Sequence, residues 1–304
     1  MDYIREFDIR LDREMYYAGE TLIGHVVLDT VENFKLRAVR VVLRGKAHAE
    51  WKVVVTVDIP YASPPQGMKY FTVIGPHIDC MDEHYLKPMV GQDKRTTCCL
   101  CCEKGPVVLR TQLERSAYVC GESIKLRANI DNQGEEEVRL KVKLIQYVEY
   151  FIDRGVLGVN KEVQHLVLEY KGDPVRPNTR SKWDSAQSLV VPVMPPSLVG
   201  VCRLLQIYYV LKVNLEFEKS GDDLQMHFPI TIATVPFRIP NSSQQPNIHY
   251  EVSCEHVEGG LYIGPEFLLG EVYDGSNSHD AQRETVVLYR PVYVTVVKPA
   301  TQNV

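Results

Sequence analysis

Four thiols crowd into five residues at Cys98-Cys99-Leu100-Cys101-Cys102. Thiolate and imidazole are the preferred ligands of zinc, so this run reads as a metal site, with His77, Cys80 and His84 upstream as further ligands. Clustered thiols close to a bilayer are also targets for acylation. The plainer reading is a buried interdomain segment, because free cysteine packs as a small hydrophobe. Adjacent cysteines cannot readily all ligate one ion, and the spacing is not that of a standard zinc finger. They are also poorly placed to bridge one another as disulfides. The nine histidines are scattered and form no triad by spacing. No Gly-x-Ser-x-Gly, His-Glu-x-x-His, Walker loop or Gly-x-Gly-x-x-Gly occurs, so no enzyme and no cofactor is expected.

Cations form the second candidate site. Lys125 and Arg127 share one face of an expected strand, and Arg139, Lys141 and Lys143 share one face of the next. If the two strands pair, five cations gather on one surface, which would attract acidic or phosphorylated cytoplasmic tails or anionic lipid. Glu135-Glu136-Glu137 in the connecting turn offsets part of that charge. Lys and Arg are also ordinary occupants of the wet face of a strand.

The elements that must position these residues come twice. Residues Leu11 to Asp29 realign on Leu113 to Asp131 without a gap, at a constant offset of 102 (113 − 11). Leu11, Arg13, Tyr16, Gly19, Glu20 and Asp29 recur as Leu113, Arg115, Tyr118, Gly121, Glu122 and Asp131. A repeat of this period suits a small domain in tandem rather than a solenoid. Each copy opens with a strand, a turn at Gly-Glu and a second strand. Ile124, Leu126, Ala128 and Ile130 alternate with Lys125, Arg127 and Asn129, the period of a half-buried strand. The tyrosine three residues before each glycine can bury its ring and keep its hydroxyl bonded. Val39, Val41 and Leu43, and Leu140, Val142 and Leu144, alternate in the same way. No window shows a convincing helical stripe. The fold class is therefore all-β: two tandem antiparallel immunoglobulin-like sandwiches.

A net charge of −5 gives no case for nucleic acid as a partner. The amino terminus has no apolar signal core. The most apolar stretch, Leu198 to Val213, is interrupted by Arg203 and Lys212, so no transmembrane helix is expected. With eight cysteines and no signal peptide, free thiols in a reducing cytosol are expected.

With repeat, sandwiches and cysteine run in view, the chain resembles the α-arrestins, the arrestin domain-containing proteins. The resemblance rests on Tyr-x-x-Gly-Glu in each half, Val41-Val-Leu-Arg-Gly-Lys-Ala, Tyr70-Phe-Thr-Val-Ile and Cys98-Cys-Leu-Cys-Cys-Glu-Lys-Gly-Pro. Pro195-Pro-Ser-Leu, Pro229-Ile-Thr-Ile-Ala-Thr-Val-Pro and Leu288-Tyr-Arg-Pro-Val-Tyr complete it. It implies an adaptor that binds cytoplasmic tails of membrane receptors and transporters, recruits WW-domain ubiquitin ligases, and steers cargo into endocytosis and endosomal sorting. The implied location is cytoplasmic, with recruitment to plasma membrane and endosomes and peripheral membrane contact. Cys202 stands close to, but one place off, the cysteine of the thioredoxin-binding family member, a shift that speaks against a mixed disulfide and for a core or strand-end thiol. A thioredoxin-binding redox regulator is one alternative function. A retromer-like sorting scaffold without ligase recruitment is another.

Two features depart from the family pattern. The second half carries about 55 residues between Phe151 and Ile207, with strands expected around His165-Leu-Val-Leu-Glu-Tyr and Ser188-Leu-Val-Val-Pro-Val, that have no counterpart in the first, as if a block of strands were removed from the first sandwich (207 − 151 = 56). Such a domain should expose apolar faces and unpaired edges. No Pro-Pro-x-Tyr ligase motif is present: Pro64-Pro65 and Pro195-Pro196 continue otherwise. The domains are read as 1–104 for the shortened first sandwich, 105–240 for the second, and 241–304 for a linker and extended segment. The apolar runs of that segment are expected to dock on the depleted first domain.

Overall fold

The computed structural model describes residues 4–13, 15–32, 35–46, 50–58, 66–96, 98–99, 102–103, 105–152, 159–185, 188–219, 223–240, 246–252 and 292–296. These form two compact units that divide between Gly75 and Pro76.

The first unit contains β1 (Ile4–Leu11), β2 (Met15–Tyr16), β3 (Gly24–Thr30), β4 (Ala38–Lys46), β5 (Glu50–Asp58), β6 (Gln66–Tyr70) and β7 (Thr72–Val73). β1 pairs with β3, β4-β5-β6 form a three-stranded sheet, and β2 runs parallel to β7. Its core is small. Ile9, Tyr16, Val53, Val55 and Phe71 form its buried cluster, and Val54, Val57 and Ile74 are also buried. Tyr16 and Phe71 meet edge to face at 5.7 Å.

The second unit holds one helical turn, α1 (Glu83–Leu86), followed by β8 (Met89–Arg95), β9 (Cys98–Cys99), β10 (Cys102–Glu103), β11 (Val107–Leu113), β12 (Ala117–Tyr118) and β13 (Leu126–Asn132). β14 (Val138–Ile152), β15 (Val159–Val175), β16 (Thr179–Asp184), β17 (Leu205–Phe217), β18 (Leu224–Ile232), β19 (Ile248–Val252) and β20 (Val292–Val296) follow. Two sheets carry the core: four strands in the order β16-β13-β11-β8, and five in the order β12-β18-β17-β14-β15. Strict alternation explains the layers. β11 turns Val107, Leu109 and Leu113 inward and β13 turns Leu126, Ala128 and Ile130, with the polar Thr111 and Asn132 at the remaining inward positions, and the apolar ones meet the inward Leu140, Val142, Leu144, Leu211, Val213 and Leu215 of the other sheet.

The pairing registers show what separates the copies. Leu11 faces Gly24 as Leu113 faces Leu126, both at the offset of 102 (113 − 11, 126 − 24). Tyr16 pairs with Val73 as Tyr118 pairs with Ile232, and the second partners are 159 apart (232 − 73). The second copy is therefore longer by 57 residues (159 − 102). Val41 faces Val55 as Val142 faces Val213, so β4 and β5 correspond to β14 and β17. The strands without counterparts are β15 and β16. This is the block whose loss the repeat implied.

Three details differ from the sequence expectation. The division between units lies near residue 76 instead of 104, because β8 joins the four-stranded sheet through β11. Ser188 to Val193 forms no strand. It runs beside residues 121–124 through backbone bonds at Leu189 and Val191, with Leu189, Val191 and Met194 buried. Finally, Tyr293–Val296 packs in the second unit, where Val296 N donates to Cys120 O at 2.8 Å. The expected docking of the whole terminal segment on the first unit does not hold for these residues, and 253–291 lie outside the described residues.

Candidate functional site

The thiol run forms a short hairpin in which Cys99 faces Cys102 and Cys98 faces Glu103. Cys101 lies outside the described residues. Among the described residues no group of three or more His, Cys, Asp or Glu is placed to hold a metal. Cys80 is buried against Ala117, Val119 and Ala233. Burial, with the Glu122 carboxylate adding, pushes its thiol up to about 12, so it stays a neutral packing residue rather than a thiolate ligand. The His84 ring lies tilted at 44° against that of Tyr85, with centroids 3.7 Å apart. Cys202 is a half-buried free thiol in the loop before β17.

The expected five-cation patch does not form. β13 and β14 are consecutive in sequence but belong to different sheets, and their outer faces are opposite sides of the sandwich. Lys125 and Arg127 lie on the four-stranded side, and Arg139, Lys141 and Lys143 on the five-stranded side. A hairpin was assumed where the chain crosses between layers. Lys141 is moreover engaged: its ammonium lies 2.6 Å from Glu216 and 3.4 Å from Glu169, with its side chain 14% exposed. The Glu216 hydrogen bond raises its pKa. Lys143 also approaches Glu169, at 3.6 Å.

The four-stranded sheet gathers a different set. Its registers place Gln92, Arg110, Asn129 and Lys182 in one outward row. Lys94, Val108, Asp131 and Arg180 form the row on one side, and Val90, Gln112, Arg127 and Asp184 the row on the other. Two cations are matched: Arg127 to Asp184 at 3.2 Å and Arg180 to Asp131 at 3.0 Å. Arg110 donates to the neutral Gln92 amide oxygen at 3.0 Å. Arg110, Lys182 and Lys94 have no carboxylate partner among the described residues. The first and third of these rows, Gln92, Arg110, Asn129 and Lys182 with Val90, Gln112, Arg127 and Asp184, line an open groove of about 540 Å³ flanked by Trp183, and Lys94 lies in the row beside it. Arg127 is the one residue of the expected patch whose outward face joins this groove. Arg110, Lys182 and Lys94 are legible as wet-face cations, but only the order β16-β13-β11-β8 brings them together.

A second constellation is built twice, at the corner after the first strand of each copy. Arg115 lies over the Tyr118 ring at 4.1 Å and Arg13 over the Tyr16 ring at 4.7 Å. Each arginine is paired with the glutamate of Gly-Glu, Arg115 to Glu122 at 3.2 Å and Arg13 to Glu20 at 3.3 Å. Each glutamate also accepts the backbone N–H after the tyrosine, Val119 at 2.9 Å and Tyr17 at 2.8 Å. Gly19 and Gly121 take φ of 93° and 84°, the left-handed region that glycine enters freely. Each tyrosine ring is buried while its hydroxyl accepts a backbone N–H, from Arg13 and from Lys125 respectively, both at 3.2 Å. The recurrence of Arg, Tyr, Gly and Glu was the sequence signal for this corner. It is a folding device, and it places no reactive group toward solvent.

Fold and site together define a class: a tandem β-sandwich protein with a grooved, charged outer sheet face. The family comparisons give that class its name. The N-terminal domain model of arrestin (or S-antigen) matches residues 6–57 and its C-terminal domain model matches residues 103–237. Human arrestin domain-containing protein 4 is 21% identical over 294 residues, covering 73% of this chain and 69% of that relative. Arrestin domain-containing protein 1 of Rattus norvegicus is 24% identical over 209 residues, covering 65% of this chain and 45% of the relative. The chain belongs to the arrestin family, of the arrestin domain-containing type, with a shortened N-terminal domain. Members of this family work as adaptors and not as enzymes. No described helix is long and apolar enough to cross a membrane.

Proposed function

We propose that this chain is a cytosolic adaptor in the trafficking of membrane receptors or transporters, and that it takes their acidic cytoplasmic tails on the outer face of the second sandwich. The observation that carries the reading is the pair of cations without a carboxylate partner among the described residues, Arg110 and Lys182, in one groove of an otherwise acidic chain, with Lys94 in the adjoining row. Carboxylates or phosphates entering that groove would gain charge-assisted hydrogen bonds without displacing an existing partner. Recruitment to plasma membrane and endosomes follows from binding such tails, with endocytic sorting as the outcome. No Pro-Pro-x-Tyr occurs in the 304 residues.

The test is binding of a fluorescent acidic peptide to the wild type and to Arg110→Glu/Lys182→Glu. Both side chains are exposed on a sheet surface, so the variant keeps the core intact. The expected loss is about tenfold or more, corresponding to about 1.4 kcal/mol. Arg139→Glu on the opposite sheet should leave binding unchanged. Equal affinity in wild type and double variant removes the groove from the function.

A further inference from the structure

The inner face of β4 is laid bare in a way the second copy makes measurable. Val39, Val41 and Leu43 sit directly opposite Val57, Val55 and Val53 of β5 and so share the face that carries the first core. Val53, Val55 and Val57 are buried, yet Val39, Val41 and Leu43 are 44, 60 and 56% exposed. Their counterparts in the second copy, Leu140, Val142 and Leu144, are 2, 0 and 0% exposed. The same comparison applies to the edge. β14 is paired on one side with β17 and on the other with β15, whereas β4 is paired only with β5 among the described strands. An apolar face and a free ladder edge thus coincide on one strand, the combination that recruits an added strand.

We infer that this edge is filled from within the chain, by the segment Glu266-Phe-Leu-Leu-Gly-Glu-Val-Tyr-Asp274. Three observations select it. The first is charge. In the second copy the strand added to β14 supplies Glu169 to Lys141 and Lys143. The corresponding Arg40 of β4 faces Thr56 on β5 and has no carboxylate partner among the described residues. Residues 266–274 carry three carboxylates and no cation, around the apolar Phe267, Leu268, Leu269 and Val272. The second is tethering: a strand of the same chain acts at an effective concentration that a free peptide must match in solution. The third is the poor fit of a second copy. Antiparallel self-pairing of two β4 edges about Val42 would set each Arg40 opposite an Arg44, a like-charge pair across the ladder.

Hydrogen exchange on the full-length chain tests this. Leu268→Pro/Leu269→Pro removes two successive ladder donors, so one of them faces the edge in either register. In the wild type the amides of residues 38–43 should be protected on both edges of β4. In the double-proline variant roughly half of them, those facing away from β5, should exchange at least tenfold faster. Amides of β14 and β17 should be unchanged, showing that the variant folds. Equal exchange of residues 38–43 in the two proteins overturns the inference, whether those amides are protected or open. Protection that grows with protein concentration, together with a dimer by size exclusion, overturns it in favour of a second copy. Protection that appears only on adding a separate peptide overturns it in favour of a foreign strand.

Discussion

The corner Arg13-Tyr16-Glu20 and the corner Arg115-Tyr118-Glu122 are the same object in two environments. Side chain types, ring stacking, ion pair and glycine conformation all match. What differs is the cover. In the second unit the segment from Pro76 brings buried Cys80 over the corner, and Phe237 stacks on the other side of Arg115 at 4.8 Å. The Arg115 and Glu122 side chains are 11% and 13% exposed, against 54% and 33% for Arg13 and Glu20. An ion pair in water contributes little, because solvent screens it and the side chains lose freedom in making it. A covered pair is different: removing one partner strands a buried charge. Local sequence thus specifies the geometry of the corner, and its energetic weight comes from the element laid over it.

The largest effect that can break this comparison follows directly. Arg115→Ala should destabilise the second unit by about 3–5 kcal/mol, because Glu122 is left covered and unmatched. Arg13→Ala should cost within about 1 kcal/mol. Chemical denaturation followed by unit-specific exchange reads the two separately. Similar costs for both variants would mean that the cover does not set the weight of the pair.

A smaller effect sharpens the comparison between the sheets. Val142 and Val41 are the same residue type at corresponding positions, 0% and 60% exposed. Val142→Ala removes methyl groups from a filled core and should cost about 2 kcal/mol. Val41→Ala should cost about half of that or less. Equal losses would show that β4 is as well covered as β14. Gly121 and Gly19 offer a parallel test. A Cβ at Gly121 would run into Val296 O, while at Gly19 it meets open space. Both alanine variants carry about 1–2 kcal/mol of left-handed strain. Only Gly121→Ala should also release β20, seen as faster exchange of residues 292–296.

These pairs also show where sequence reading succeeds and where it stops. The offset of 102 and the alternation of Ile124 to Ile130 depend on local spacing, which survives in one dimension. The missing block was visible for the same reason, since a repeat measures its own gaps. Strand order is not local. Arg127 and Arg139 are close in sequence and were placed on one surface. The chain leaves one layer at Asn132 and enters the other at Val138, which puts them on opposite faces. The groove cations Arg110 and Lys182 are 72 residues apart (182 − 110) and become neighbours only through β13. The contribution of residues 76–95 to the second unit was missed because β8 alternates apolar and polar side chains only weakly, and Val90 is itself exposed.

The smallest predicted effect concerns pH and tests the cover from the inside. Burial raises the Cys80 thiol from its ordinary 9.0 to about 12, and raises the Tyr118 hydroxyl from 10.0 to about 12. Both groups are neutral when protonated, and the folded second unit holds those protons more tightly than the unfolded chain does. Between the two values the unfolded chain has lost protons that the folded one retains, so stability falls as pH rises. The contribution is complete below about pH 9 and is lost on approaching pH 12. The melting temperature of the second unit should therefore decline across that window, and less steeply in Cys80→Ala, which keeps the share of Tyr118 and of the other raised tyrosines, Tyr85, Tyr208 and Tyr209. Alkylation below pH 9 gives an independent check, since Cys202 should react while Cys80 does not. A melting curve with the same slope in wild type and Cys80→Ala, together with rapid alkylation of Cys80, would show that residues 76–87 open readily and that the two corners differ less than their side-chain exposures imply.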